Sequence, residues 1–149
     1  MSPTEWITHS AEETEALAAG LLGGEPVPRA PCRVVELAGE LGAGKSTFAR
    51  GALRSLGVRG PIKSPSYTLL ELYELPAIQV VHLDLYRLND PNELENLGLA
   101  DYHEPGFLWL VEWPERGAGR IPPADLRFEF SIGNGGHRIQ RIETFRTTK

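Results

Sequence analysis

Apolar residues recur along this chain with two different periods, and the changes of period mark its elements. Residues 33–38 are nearly continuous in apolar side chains around Val34 and Val35, which predicts a buried strand. Further on, Phe48, Ala49, Ala52, Leu53 and Leu56 fall on one face at helical spacing, with Arg50 and Arg54 on another, predicting a helix that Gly57 ends. Upstream, Ser10 and Glu13 have capping-box spacing and open a helix carrying Ala16, Leu17, Ala19, Leu21 and Leu22, closed by Gly23-Gly24. The three prolines of residues 25–31 make that stretch a connector.

Residues 67–75 and 78–86 both read as strands, rich in β-branched and aromatic side chains, and only Pro76-Ala77 separates them. A parallel return needs a crossover of a dozen or more residues, so these two strands must be antiparallel and the sheet mixed. Gly60-Pro61 and Ser64-Pro65 make residues 59–65 a loop. Asp90-Pro91-Asn92-Glu93 repeats the capping logic and predicts a short helix to about Leu97, closed by Gly98. Phe107 to Val111 has no polar alternation, which marks a strand buried on both faces, and Glu112 follows at its C-terminal edge. Residues 125–132 and 137–145, around Gly133-Asn134-Gly135-Gly136, predict a closing hairpin.

Length and charge narrow the functional classes. The chain of 149 residues suits one domain, residues 1–149, with a single core. A net charge of −5 supplies no global field for nucleic acid or membrane, so any RNA contact must be local or come through a partner. Cys32 is the only cysteine, which excludes an internal disulfide and a cysteine metal cluster. No apolar run approaches the roughly 20 residues that cross a bilayer, and residues 1–9 lack a leader pattern, so a cytoplasmic address is expected.

Between the first predicted strand and its helix lies Gly39-Glu40-Leu41-Gly42-Ala43-Gly44-Lys45-Ser46, a complete match to G-x-x-x-x-G-K-[ST] in the strand–loop–helix context that gives the pattern meaning. Glycines let successive backbone N–H groups turn toward an anion, and the helix start adds its positive dipole end. Lys45 supplies a point charge for the outer phosphates and Ser46 a hydroxyl for magnesium, with Thr47 completing the loop. The expected fold is therefore α/β, a P-loop NTPase-like three-layer arrangement with a mixed, mostly parallel central sheet.

Such a loop needs a carboxylate at the end of a neighbouring buried strand, to hold magnesium directly or through water. Asp84, after Val80-Val81-His82-Leu83, and Glu112 both qualify, one toward the metal and one toward an attacking water. By hydrophobic context Glu112 belongs to the more central strand and Asp84 lies nearer an edge. Ser64, Ser66, Tyr67 and Thr68 stand where nucleotide-sensing loops sit, although turn chemistry beside Pro65 explains them as well. His9, His82, His103 and His137 lack metal-ligand spacing and are assigned packing or solvated roles. Trp109 is a core residue. Trp113 stands either beside the nucleotide or a partner, or in packing. Arg138, Arg141, Arg146 and Lys149 make the tail basic, either to touch an acidic partner or RNA, or to protect an edge strand.

Taken in order, residues 39–48, Ser64-Pro65-Ser66-Tyr67-Thr68, His82-Leu83-Asp84-Leu85-Tyr86-Arg87-Leu88 and Val111-Glu112-Trp113-Pro114-Glu115 closely resemble the bacterial TsaE (YjeE) family, the small ATPases of tRNA threonylcarbamoyladenosine synthesis. Glu40 and Ser66 replace residues more often Asp and Thr in that family, and both keep the chemistry. The resemblance implies that Lys45 and Ser46 bind phosphates and magnesium, that Ser64 and Thr68 belong to a nucleotide-responsive loop, and that Asp84 and Glu112 are the functional acids. It also implies that ATP hydrolysis supports the transferase pair TsaD and TsaB, with tRNA met through that complex. A small-molecule kinase is the alternative, but the predicted elements leave little length for an acceptor region or a lid. The guanine-reading pattern [NT]-K-x-D is absent, Lys63 being followed by Ser64-Pro65, which favours adenine over a GTPase switch.

Overall fold

One seven-stranded sheet organises the protein, seen in a computed structural model that describes residues 4–23, 32–117, 119–133 and 135–143. In chain order the elements are β1 (Glu5–Thr8), α1 (Ala11–Ala18), β2 (Arg33–Gly39), α2 (Lys45–Leu56), β3 (Leu70–Glu74), β4 (Gln79–Asp84), β5 (Phe107–Glu112), β6 (Leu126–Gly133) and β7 (Gly136–Glu143). The strands lie in the order β1-β7-β6-β2-β5-β4-β3. β6, β2, β5 and β4 run parallel, while β3, β7 and β1 are antiparallel to their neighbours. The mixed sheet follows from sequence as expected, and β4 is indeed one strand from the edge.

Alternation along the central strands divides the core between the two faces of the sheet. Val35, Leu37, Val80, Leu108 and Leu110 pack with Phe48, Ala49, Ala52 and Leu53 of α2 on one side. Val34, Val81, Leu83, Trp109 and Val111 face the other side, covered by Leu94 and Leu99 from two 3-10 helices, Pro91–Leu97 and Leu99–Tyr102. With both faces covered, the parallel strands can be apolar throughout. Trp109 is fully buried, and its indole N–H donates to the carbonyl of Tyr102 at 3.0 Å.

Local rules account for most boundaries. The Ser10 hydroxyl accepts the Glu13 N–H at 3.1 Å, a cap of about 1 kcal/mol, but the Glu13 carboxylate reaches back to the His9 N–H rather than to Ser10. After Ala18 the chain widens into a π-helical turn, Ala19–Gly23. The Asp90 capping box is complete and opens a 3-10 helix. The strands expected over 67–75 and 78–86 are shorter in the structure. The Leu69 N–H turns back to the carbonyl of Pro65, and Leu69 has φ +70°, so β3 cannot begin before Leu70. At the far end of β4 the Tyr86 N–H folds onto the Asp84 carboxylate and terminates the strand.

Sequence periodicity did not reveal β1, whose four residues are too few to set a pattern. Its presence makes β7 an interior strand, and the exposed Arg138 of β7 is held by Glu5 of β1. The edge-protection reading of the tail charges therefore fails for β7. The proline-rich connector, Gly24, Asn134 and residues 144–149, with Arg146 and Lys149, lie outside the described residues. Among the described residues no helix is long and apolar enough to cross a membrane.

Candidate active site at the phosphate loop

The parallel strands β2, β4 and β5 end on the same side of the sheet, where ligands of open α/β sheets bind. β2 delivers Gly39 and the loop, β4 delivers Asp84, and β5 delivers Glu112. The backbone explains the loop's glycines at two points. Gly39 has φ +141°, and a Cβ added there would meet the Phe130 carbonyl oxygen at 2.2 Å. Gly44, at φ +113°, caps α2 without offering a side chain to its first turn, so the N–H groups of that turn remain available to an anion.

A cleft of about 350 Å³ opens above the loop. Leu41, Gly42, Gly44, Lys45, Ser46 and Thr47 form its floor, with Ser64, Ser66, Asp84, Tyr86, Glu112 and Trp113 at one end and Ser10, Ala11, Thr14 and His137 at the other. Of the residues expected from sequence, Glu40 contributes its carbonyl to Lys45, and Ala43 is buried beneath the loop with its carbonyl bonded to His137. Thr68 is the exception. It lies outside the cleft lining, exposed, its hydroxyl donating at 3.4 Å to the carbonyl of Leu70. The turn that ends at Leu69 carries it away from the phosphate loop.

Asp84 and Glu112 are register partners on β4 and β5, and both are almost fully buried. Buried carboxylates persist only when their oxygens are satisfied, and these are. Asp84 Oδ2 accepts from the hydroxyls of Ser64 and, at 3.3 Å, of Ser66, while Oδ1 accepts the Tyr86 N–H at 3.1 Å. Glu112 Oε1 accepts the Ser46 hydroxyl at 2.8 Å, and Oε2 faces His82 Nε2 at 2.6 Å.

Lys45 balances this charge. Its ammonium donates to the carbonyls of Gly39 at 2.6 Å and Glu40 at 2.7 Å, and lies 4.3 Å from the centre of the Trp113 ring. Burial holds its pKa below the usual lysine value, against the opposing pull of Glu112, Glu115, Asp84 and Glu40. Trp113 thus belongs to the site rather than to remote packing. It has φ +58°, a left-handed conformation that is rare for so large a side chain, and its ring also meets Tyr86 at 5.0 Å.

The donor set suits a magnesium nucleotide. Ser46, Asp84 and Glu112 offer only oxygen, the chemistry magnesium prefers. Among the described residues no cluster of three or more His, Cys, Asp or Glu could hold a metal by itself.

Two histidines that the sequence reading left to packing or solvent enter the site. His82 is two residues before Asp84 on β4, so strand alternation puts both on one face, a signal that was legible. His137 of β7 donates through Nδ1 to the carbonyl of Ala43 at 3.0 Å and forms part of the cleft wall; no local pattern announces a contact across 94 positions.

Comparison with known proteins identifies the family. The family model for threonylcarbamoyl adenosine biosynthesis protein TsaE matches residues 8–141. The tRNA threonylcarbamoyladenosine biosynthesis protein TsaE of Haemophilus influenzae is 43% identical over 109 residues, covering 73% of this chain and 69% of that protein. The Bacillus subtilis protein of the same name is 34% identical over 127 residues, covering 85% and 77%. The crystal structure of Bacillus subtilis YdiB superposes with a TM-score of 0.72 at 29% identity, covering 92% of this chain and 82% of that one. A match running from the end of β1 into β7, with relatives above 30% identity over most of their length, makes the chain a member of the TsaE family.

Proposed function

We propose that this chain is a magnesium-dependent ATPase of the cytoplasm whose hydrolysis of ATP supports turnover of the TsaD–TsaB pair, which installs threonylcarbamoyl on the tRNA adenosine next to the anticodon. One observation carries the reading: the paired carboxylates Asp84 and Glu112 stand at the C-terminal ends of adjacent parallel strands and line one cleft with Lys45 and Ser46. The family names of its relatives, which refer to tRNA threonylcarbamoyladenosine biosynthesis, support the pathway.

The hydrogen bonds support a division of roles. Ser46 and Glu112, already joined, would hold magnesium, which when bound neutralises phosphate charge as the terminal bond breaks. Lys45 exchanges its two carbonyl partners for phosphate oxygens. Asp84, tied to Ser64 and Ser66 of the preceding loop, orients the attacking water and makes its position depend on that loop. A kinase would need an acceptor region, and between β4 and β5 the chain forms only the two short 3-10 helices that cover the sheet.

The test combines calorimetric titration with ATP and phosphate release in the presence and absence of purified TsaD and TsaB. The reading expects ATP binding that Lys45→Ala abolishes and slow hydrolysis that the pair accelerates. Unchanged titration of Lys45→Ala, or transfer of the phosphoryl group to a metabolite in place of phosphate release, would overturn it.

A further inference from the structure

His82 sits in the middle of β4, facing the apolar layer under α2, at a position where Val80 and Leu108 show what the fold itself asks for. It is 1% exposed, and Leu110 is its register partner on β5. From there its ring reaches diagonally to the residue two places further along β5, and Nε2 meets Glu112 Oε2 at 2.6 Å. A carboxylate can only accept, so Nε2 carries the hydrogen of this bond. The opposite nitrogen, Nδ1, is buried with no hydrogen-bond partner among the described residues. An imidazole that leaves one nitrogen unsatisfied in a core costs stability that leucine or phenylalanine would not.

We propose that His82 is a positioning residue for Glu112. The Glu112 carboxylate is gripped from both sides, Oε1 by the Ser46 hydroxyl at the start of α2 and Oε2 by His82. Ser46 belongs to the loop and changes partners when phosphate and metal chemistry begins. His82 belongs to the sheet and does not. The imidazole therefore fixes the plane and rotamer of the carboxylate while its other oxygen is released for work. Outer partners of this kind are typically worth about 10–100-fold in activity when removed. The proposal rests on the ATPase reading, and its test separates the two.

The experiment measures steady-state ATP hydrolysis with TsaD and TsaB for wild type, His82→Leu and His82→Gln, the last of which keeps an amide N–H near the place of Nε2. Expected are a kcat at least about tenfold lower in His82→Leu with KM for ATP within about threefold, and recovery of most of the loss in His82→Gln. Wild-type kcat in His82→Leu, a parallel rise in KM, or no rescue by glutamine would overturn the proposal. A second measurement needs neither turnover nor nucleotide. The Nε2–H proton of His82 should appear downfield in the NMR spectrum of the wild-type protein and vanish in Glu112→Leu, and its persistence there would refute the bond. If wild type releases no phosphate under any condition, the ATPase reading fails, and this resonance alone decides whether His82 holds Glu112.

Discussion

Asp84 and Glu112 face each other across β4 and β5, yet each carboxylate is held by a different part of the chain: Asp84 by the serines of the loop before β3, Glu112 by Ser46 of α2 and His82 of β4. Two acids in one register are thus wired to separate elements. Either acid can therefore be replaced without removing the hydrogen bonds of the other.

Asp84→Asn and Glu112→Gln keep shape and lose charge. Each should leave ATP binding near wild type and lower kcat by about a hundredfold, and the double variant should lose less than the product of the two, because groups that act as a unit are not additive. Calorimetry and phosphate release on the three variants provide the check, and near-normal turnover in both singles would remove the acids from the mechanism.

Ser64 and Thr68 lie in one loop but in different surroundings. Removing a hydrogen bond to a charged group costs about 1.5–3 kcal/mol, so Ser64→Ala should reduce kcat by about tenfold or more. Thr68→Ala, at an exposed position bonded among the described residues to the Leu70 carbonyl, should keep wild-type kinetics. Equal losses in the two variants would contradict the placement of Thr68 outside the cleft.

Gly51 sits where α2 crosses α1. Alanine normally stabilises a helix interior by nearly 1 kcal/mol over glycine. Here an added Cβ would lie 2.5 Å from both Cα and O of Glu15, backbone that cannot move aside cheaply. Gly51→Ala should therefore destabilise by about 1–3 kcal/mol in denaturant unfolding, the reverse of the propensity effect.

Glu36 gives a dependence on pH with a defined sign. Burial raises its pKa above the ordinary carboxylate value, Arg127 pulls it down, and Glu115 pushes it up again. The folded protein thus disfavours the ionised form, and stability falls as pH rises from the ordinary value through the raised one. Glu36→Gln removes this penalty. Its thermal midpoint should exceed the wild type's at pH 7, and the difference should vanish as the solution is acidified below the ordinary carboxylate range.

Much of this architecture was written in local pattern. The glycine loop, the helix behind it, the antiparallel β3–β4 pair and the two strand-end acids all follow from spacing over a few residues, because period and turn chemistry act locally. What escaped depends on contacts between distant segments. β1 is a strand only because β7 offers it an edge, and His137 reaches Ala43 only once the hairpin has been added to the sheet. Thr68 lies outside the cleft lining for a related reason, since the turn from Pro65 to Leu69 decides where its hydroxyl points. His82 is legible, two places from Asp84 on the same strand, because strand alternation and not metal-ligand spacing carries its signal.

The bond between His137 and the loop also bears on synthesis. Ninety-four positions separate His137 from Ala43, so on the ribosome the glycine loop emerges long before the strand that walls it in. β2 must meanwhile wait for β5 and β6, its neighbours on either side, both of which are made later. The nascent chain consequently carries the glycine loop with no finished walls around it, and the complete cleft is among the last features it acquires.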